Sequence, residues 1–381
     1  MTASPIDRRQ LLKGVAAGGA TLAFPGLLRA QSEPRIVLGQ SAPFSGPAAS
    51  LGERLHLGAR LYFQQLNAAG GVHGRSIELR QLDDGYEPER CKANTEQFLR
   101  DDVFALFGYV GTPTSLAALP LAVQAGLPFF APFTGAEALR EPLRRNVFHV
   151  RASYFDETAR IVRQLTSTGV RKIAVFHQND SYGAAGLEGV TRALRGHNLG
   201  PVAVGTVERN SSDVAAALRT ILAAAPEAVV QVSAYKSCAA FIREARKAGY
   251  GGLFYNVSFV GTQALADELG RDARGVMVSQ VMPYPYSGTS PLAREYLDAL
   301  RRAGGELQPD YTSMEGYVAA RVFAEGLRRA PRPTRDGLLA GLESIQNLSL
   351  GGFHVNFGAR GRVASRFVEM SMLTEDGRVR R

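Results

Sequence analysis

Cysteine and histidine are scarce in this 381-residue chain, and tryptophan is absent. Two cysteines, Cys91 and Cys238, cannot build a disulfide framework or a four-ligand zinc site. The histidines, at 56, 73, 149, 177, 197 and 354, form no H-x-x-x-H pair, so no metal centre is expected. There is no G-x-x-x-x-G-K-[ST] loop, no G-x-G-x-x-G and no G-x-S-x-G. These absences argue against the usual nucleotide, dinucleotide and serine-hydrolase chemistry. Gly183, Gly186 and Gly189 have the wrong spacing for a dinucleotide loop and read as a helix start. The carboxylate pairs Asp83–Asp84 and Asp101–Asp102 flank strand-like runs and read as caps and surface charge. No catalytic residue and no cofactor is assigned.

Charge excludes little by itself. The net charge is +9, but the first 30 residues hold Arg8, Arg9, Lys13 and Arg29 against a single Asp7. The later basic residues are scattered, with pairs at Arg328–Arg329 and Arg380–Arg381 and no interleaved aromatics. Such scatter describes a solvated surface and not a nucleic-acid face. The N-terminal stretch "DRRQLLKGVAAGGATLAFPGLLRA" is more informative. A paired arginine, an apolar run too short to span a bilayer, and Ala30 before "QSEP" have the layout of an export signal over residues 1–30. The Arg8–Arg9 pair gives it a twin-arginine character. The mature chain is therefore expected in the periplasm. Cys91 and Cys238 lie in separate helical stretches and are expected to stay unpaired thiols.

From residue 35 apolar runs alternate with segments of helical spacing. Strands are expected within 35–43, 76–84, 103–111, 127–133 and 146–153, then 171–180, 201–210, 227–235, 252–260 and 275–283. Leu57, Leu61, Tyr62 and Leu66 share one helical face, which stops at Gly70–Gly71. Further helices are expected at 183–196, 237–248, 291–303 and 312–330. Continuously apolar strands separated by helices imply parallel sheets covered on both faces. Ten strands are too many for one small sheet. The fold class is therefore α/β, with two doubly wound parallel-sheet lobes.

Open parallel sheets bind ligands beyond the carboxyl ends of their strands. The segments there are "SAPFSGPAASLG" (41–52), "GYVGTPTS" (108–115), "APFTGAEAL" (131–139), "QNDSYG" (178–183), "SAYKS" (233–237) and "NVSFVG" (256–261). All are rich in hydroxyls, amides, small residues and aromatics. Taken singly, each reads equally as a turn or a core segment. Taken together, they read as a cleft for a small polar ligand with an apolar body.

The stretches 39–91, "GYVGTPTSLAALPLAVQAGLPFFAPFTGAEALR", "DSYGAAGLEGV" and "MEGYVAARVFAEGL" resemble type I periplasmic solute-binding proteins of the branched-chain amino-acid transporter family. The resemblance covers nearly all of 34–381. It implies a hinge of three crossovers, with lobe 1 made of 34–150 and 285–351 and lobe 2 of 151–284 and 352–381. It implies a monomer that closes on a small molecule and hands it to an inner-membrane ABC permease with ATPase subunits. It places the ligand carboxylate among Thr112, Thr114, Ser115, Phe133 and Thr134, with the register inside 112–115 left open. From lobe 2 it brings Tyr182 and Tyr235. Ser258 stands where leucine-type binders carry an acidic partner for the ligand ammonium, and Leu51 replaces an aromatic. The implied ligand is an amino acid or a related organic acid or amide. A sensing receptor of the same fold is one alternative. A secreted α/β enzyme is another, and it lacks a nucleophile or metal set.

Overall fold

The computed structural model describes residues 35–358 and 361–381; the export signal read at residues 1–30 lies outside them. The first part of the chain winds β1 (Ile36–Ala42), α1 (Ala49–Ala68), β2 (Ile77–Asp83), α2 (Pro88–Arg100), β3 (Ala105–Phe107), α3 (Thr112–Gln124), β4 (Phe129–Phe130) and β5 (Val147–Phe148) into a parallel sheet of order β2-β1-β3-β4-β5. The chain then leaves through 149–153. A Ser153–Asp156 capping box, in which each side chain bonds the other's backbone N–H, opens α4 (Tyr154–Ser167).

The second sheet follows the same alternation: β6 (Ile173–Gln178), α5 (Ser181–Arg195), β7 (Val204–Val207), α6 (Ala215–Ala223), β8 (Ala228–Val232), α7 (Tyr235–Lys247), β9 (Leu253–Asn256), α8 (Thr262–Leu269) and β10 (Met277–Gln280). The chain next returns to the first sheet through 281–290. It lays down α9 (Pro291–Ala303), α10 (Tyr311–Arg329), α11 (Arg335–Glu343) and a small hairpin of β11 (Leu348–Ser349) and β12 (His354–Val355). It finally crosses back to add β13 (Glu369–Leu373) antiparallel to β10, and β14 (Val379–Arg380) beside it. The second sheet therefore runs β14-β13-β10-β9-β8-β6-β7. Three crossovers join two α/β lobes. The first and third are tied together where the His149 N–H donates to the Arg362 carbonyl at 2.7 Å and the Ala364 N–H to the His149 carbonyl at 2.8 Å.

All ten expected strands form, but they are shorter than the apolar runs. "GYVGTPTS" shows why. Residues 108–115 are buried throughout, yet only Ala105–Phe107 stay in the ladder. Gly108 (φ 61°) and Gly111 (φ 101°) then turn the chain over the sheet edge in left-handed backbone that suits glycine. A Cβ on Gly111 would lie 2.3 Å from Cε2 of Tyr86. Burial continues past the strand because lobe-1 residues enclose the turn, Gln40 and Leu55 at Gly108, Thr95 and Phe129 at Tyr109 and Tyr86 at Gly111, so hydrophobicity alone overestimates strand length. Asp84 departs from its expected surface role. It is fully buried, accepts from Ser41 Oγ at 2.7 Å and the Tyr86 N–H at 2.8 Å, and burial pushes its carboxyl up to about 6. Cys91 and Cys238 are both buried and unpaired, on α2 and α7.

Candidate functional site

The loops at the carboxyl edges of the two sheets meet. Gln178 Nε2 donates to Tyr86 OH at 3.2 Å, and Asn210 Nδ2 to the Gly85 carbonyl at 3.0 Å. Arg209 pairs with Glu87 at 2.9 Å, and Arg54 with Asp267 at 3.5 Å. The lobes are therefore closed on one another, and the buried space between them is aromatic. The Phe259 ring from lobe 2 packs on Phe133 (5.4 Å between centroids) and Tyr86 (6.0 Å) from lobe 1, and on Tyr182 (4.6 Å). Tyr182 in turn packs on Tyr154 at 5.3 Å. A cavity of about 10 Å³, lined in part by Phe133, Ser258, Tyr311 and Glu315, is room for about one water.

Most of the residues singled out in the sequence lie in or beside this cluster. Thr112 Oγ1 and Thr134 Oγ1 hydrogen-bond at 2.6 Å, which joins the start of α3 to the loop after β4. Thr134 Oγ1 also accepts the Ala136 N–H at 3.2 Å. Ser115 Oγ is buried without a partner. Thr114 turns inward on its own helix: its hydroxyl donates to the carbonyls of Val110 and Gly111. Tyr182 is fully buried at the start of α5, where Asp180 caps the helix by accepting the Tyr182 N–H at 2.9 Å. Tyr235 is buried farther out, beside Ser50 and Arg54, and makes none of the ring contacts of the Tyr182 cluster among the described residues.

The pattern search missed the charged floor of the cluster. Arg151, on the first crossover, is 1 % exposed and lies 4.5 Å from the Phe133 ring centre. Its Nη2 donates to Ser258 Oγ, while Nε and Nη1 have no hydrogen-bond partner. Glu157 on α4 lies 3.9 Å away, and Glu315 on α10 approaches Nε at 3.5 Å. Glu157 binds the Ser258 N–H (2.8 Å), Ser258 Oγ (3.0 Å) and Ser279 Oγ (2.5 Å). Burial disfavours the charge on Arg151, but Glu315 and Glu157 outweigh it and hold the guanidinium above its ordinary range. The hydroxyls of Tyr154 and Tyr182 are also buried without partners. Five unpartnered polar atoms thus belong to Ser115, Arg151, Tyr154 and Tyr182. Such groups are costly unless a further partner meets them.

Burial pushes the Glu315 carboxyl up to about 7, against the pull of Arg151. Its folded-state pKa exceeds the unfolded value of about 4.5, so the folded state holds this proton longer. The resulting stability is complete below that value and is lost as pH rises through about 7. Glu315→Gln is expected to remove this dependence. The melting temperature of the parent protein, measured against Glu315→Gln, should fall between pH 4.5 and 7.5. A constant difference across that window would mean that Glu315 titrates as an ordinary carboxylate.

Among the described residues, no group of three or more His, Cys, Asp or Glu could hold a metal, and no helix is long and apolar enough to cross a membrane. The periplasmic binding protein family model matches residues 35–377. A Leu/Ile/Val-binding protein homologue of Brucella melitensis is 25% identical over 313 residues, covering 77% of each chain. The crystal structure of a possible leucine/isoleucine/valine-binding protein from Rhodopirellula baltica superposes with a TM-score of 0.87 at 36% identity, over 91% of this chain and 95% of that one. A substrate-binding periplasmic protein from Ralstonia solanacearum follows with a TM-score of 0.85 at 33% identity, over 90% and 99%. Each of these is named a binding protein, and the two solved structures superpose over 91% and 90% of this chain. The chain belongs to the periplasmic binding protein family, a family of binding proteins and not enzymes, as a type I member similar to leucine/isoleucine/valine-binding proteins.

Proposed function

We propose that this chain is the exported solute receptor of an ABC importer, taking up a small carboxylate- or amide-bearing ligand by lobe closure and delivering it to the permease. The observation that carries the reading is the convergence of partnerless buried hydroxyls and packed rings from both sheet edges. Lobe 1 (34–150 and 285–351) holds the ligand first, through Thr112, Ser115, Phe133 and Thr134. Lobe 2 (151–284, with β13 and β14 added after the last crossover) then closes over it with Tyr182 and Ser258, and with Tyr235 at the rim. Phe259 sits between Phe133, Tyr86 and Tyr182, so it must move aside as the lobes part to admit a ligand. The Arg8–Arg9 pair directs export by the twin-arginine route. The receptor acts as a monomer.

A ligand that binds only the folded state raises its melting temperature by mass action. A thermal-shift screen of amino acids, aliphatic and aromatic acids and amides is expected to yield at least one stabilising compound. A screen with no hit in any class would overturn the receptor reading. Thr134→Ala is expected to weaken the best hit by about 10- to 100-fold, the loss of one hydrogen bond to a charged group. Its melting temperature without ligand should stay within a few degrees of the parent's. Unchanged affinity, measured by calorimetry, would remove Thr134 from the site.

A further inference from the structure

We infer that Arg151 anchors the ligand carboxylate, and that the ligand is a carboxylic acid without an α-ammonium group; the inference rests on the receptor reading above. A guanidinium offers five N–H donors in a planar fork. In Arg151 Nη2 is hydrogen-bonded to Ser258 Oγ and Nε faces the Glu315 carboxylate at 3.5 Å, while Nη1 is buried without a partner among the described residues. The charge lies 4.5 Å from the ring centre of Phe133, inside the aromatic cluster that joins the lobes. A ligand carboxylate can meet the guanidinium at Nη1, on the side away from the Nε–H and Glu315.

The same surroundings disfavour an ammonium. Two carboxylates reach this floor. Glu157 is committed to three donors from Ser258 and Ser279. Glu315, whose carboxyl accepts no hydrogen bond among the described residues, lies 3.5 Å from Arg151 Nε. The other charges acting on Glu315 are Glu157, which repels it, and the Arg140 guanidinium, held by the carbonyls of Arg151 and Ala152. Ser258, at the position where an acidic partner was expected, instead passes a hydrogen bond from Arg151 to Glu157. An α-ammonium would thus enter beside a guanidinium, with Glu157 held by its three donors and Glu315 already paired to Arg151, so that its desolvation is poorly repaid. A 2-oxo, 2-hydroxy or unsubstituted acid with an apolar body avoids that cost. Its carboxylate would take Nη1 while Glu315 keeps Nε, and its body would meet Phe133, Tyr182 and Phe259.

The test is calorimetry on matched pairs: leucine against 4-methyl-2-oxopentanoate, and phenylalanine against phenylpyruvate and 3-phenylpropanoate. At least one acid is expected to bind on the order of 30-fold more tightly than its amino counterpart. Arg151→Lys, which keeps the charge and loses the fork, should weaken that acid at least about 10-fold. The double variant Arg151→Met/Glu315→Gln, which removes both charges together, should not bind it measurably. Amino acids binding as tightly as their acids, or acid affinity unchanged in both variants, would overturn the inference. A general screen that finds only amides or amino acids overturns it and leaves the receptor reading standing. Only the absence of any stabilising compound removes both.

Discussion

Glu157→Ala is expected to cost about 3–5 kcal/mol of folding stability, the typical loss when one partner of a buried ion pair is removed. On a two-lobe protein of this size that lowers the melting temperature by on the order of 10 °C. The reason is what the carboxylate holds. Its Oε2 accepts the Ser258 N–H and the Ser279 hydroxyl, its Oε1 accepts the Ser258 hydroxyl, and Arg151 lies 3.9 Å away. All these groups are buried, so removing the acceptor leaves a backbone donor, two hydroxyls and half of a guanidinium's counter-charge without water to replace it. Burial raises the Glu157 pKa, and Arg151 with the Ser279 and Ser258 donors oppose it.

Coupling distinguishes this account from simple cavity formation. If the cost is the stranded charge on Arg151, then Arg151→Met made together with Glu157→Met should be far less damaging than the single losses predict. Buried ion pairs replaced by apolar groups of similar volume are often neutral. Chemical denaturation of the two single variants and the double closes the cycle. A Glu157→Ala variant within about 1 kcal/mol of the parent would show that the network carries no weight.

The residues of this network also mark where reading the sequence runs out. The segments that hold Phe133, Thr134, Tyr182 and Ser258 were legible because each follows a strand whose apolar run is visible, and strand ends of parallel sheets share one edge; the resemblance to solute-binding proteins then picked out the residues. Phe259 lies in the same segment as Ser258 but was not singled out, and Arg151, Tyr154, Glu157 and Glu315 lie outside every such segment. Arginine and glutamate are rarely buried, so a charge in "FHVRASYFDET" reads as surface. Glu315 reaches the floor only because α10 returns to lobe 1 more than 150 residues after Arg151. One local signal was available: the Ser153-x-x-Asp156 capping box places Tyr154 and Glu157 in the first turn of α4, beside the crossover. Thr114 was misleading for the opposite reason. A threonine hydroxyl inside a helix can turn back to a carbonyl three or four residues earlier, and spacing cannot show which way it points.

How α10 brings Glu315 to the cleft gives the second large effect. Gly58 on α1 and Gly316 on α10 let the two helices touch backbone to backbone. A Cβ on Gly58 would lie 1.7 Å from the Ser313 carbonyl oxygen, and one on Gly316 would lie 2.0 Å from the Leu55 carbonyl oxygen. Neither obstacle is a side chain that could swing away. Alanine is ordinarily the better helix former by about 1 kcal/mol, but here the added methyl must push two packed helices apart. Gly58→Ala and Gly316→Ala are each expected to cost about 3 kcal/mol, the upper end of overpacking penalties. Because both methyl groups press on the same interface, a first separation already makes room for the second. The double variant should therefore lose clearly less than the two single losses combined. Denaturant melts of the three variants read this directly. Gly326→Ala belongs in the same set as a milder control, because there the methyl would meet the Leu342 side chain at 2.5 Å, an atom that can rotate. If Gly316→Ala proved no worse than Gly326→Ala, the α1–α10 contact would not be the rigid backbone seat argued here. Glu315, one residue before Gly316, would then owe its position to Arg151 and not to helix packing.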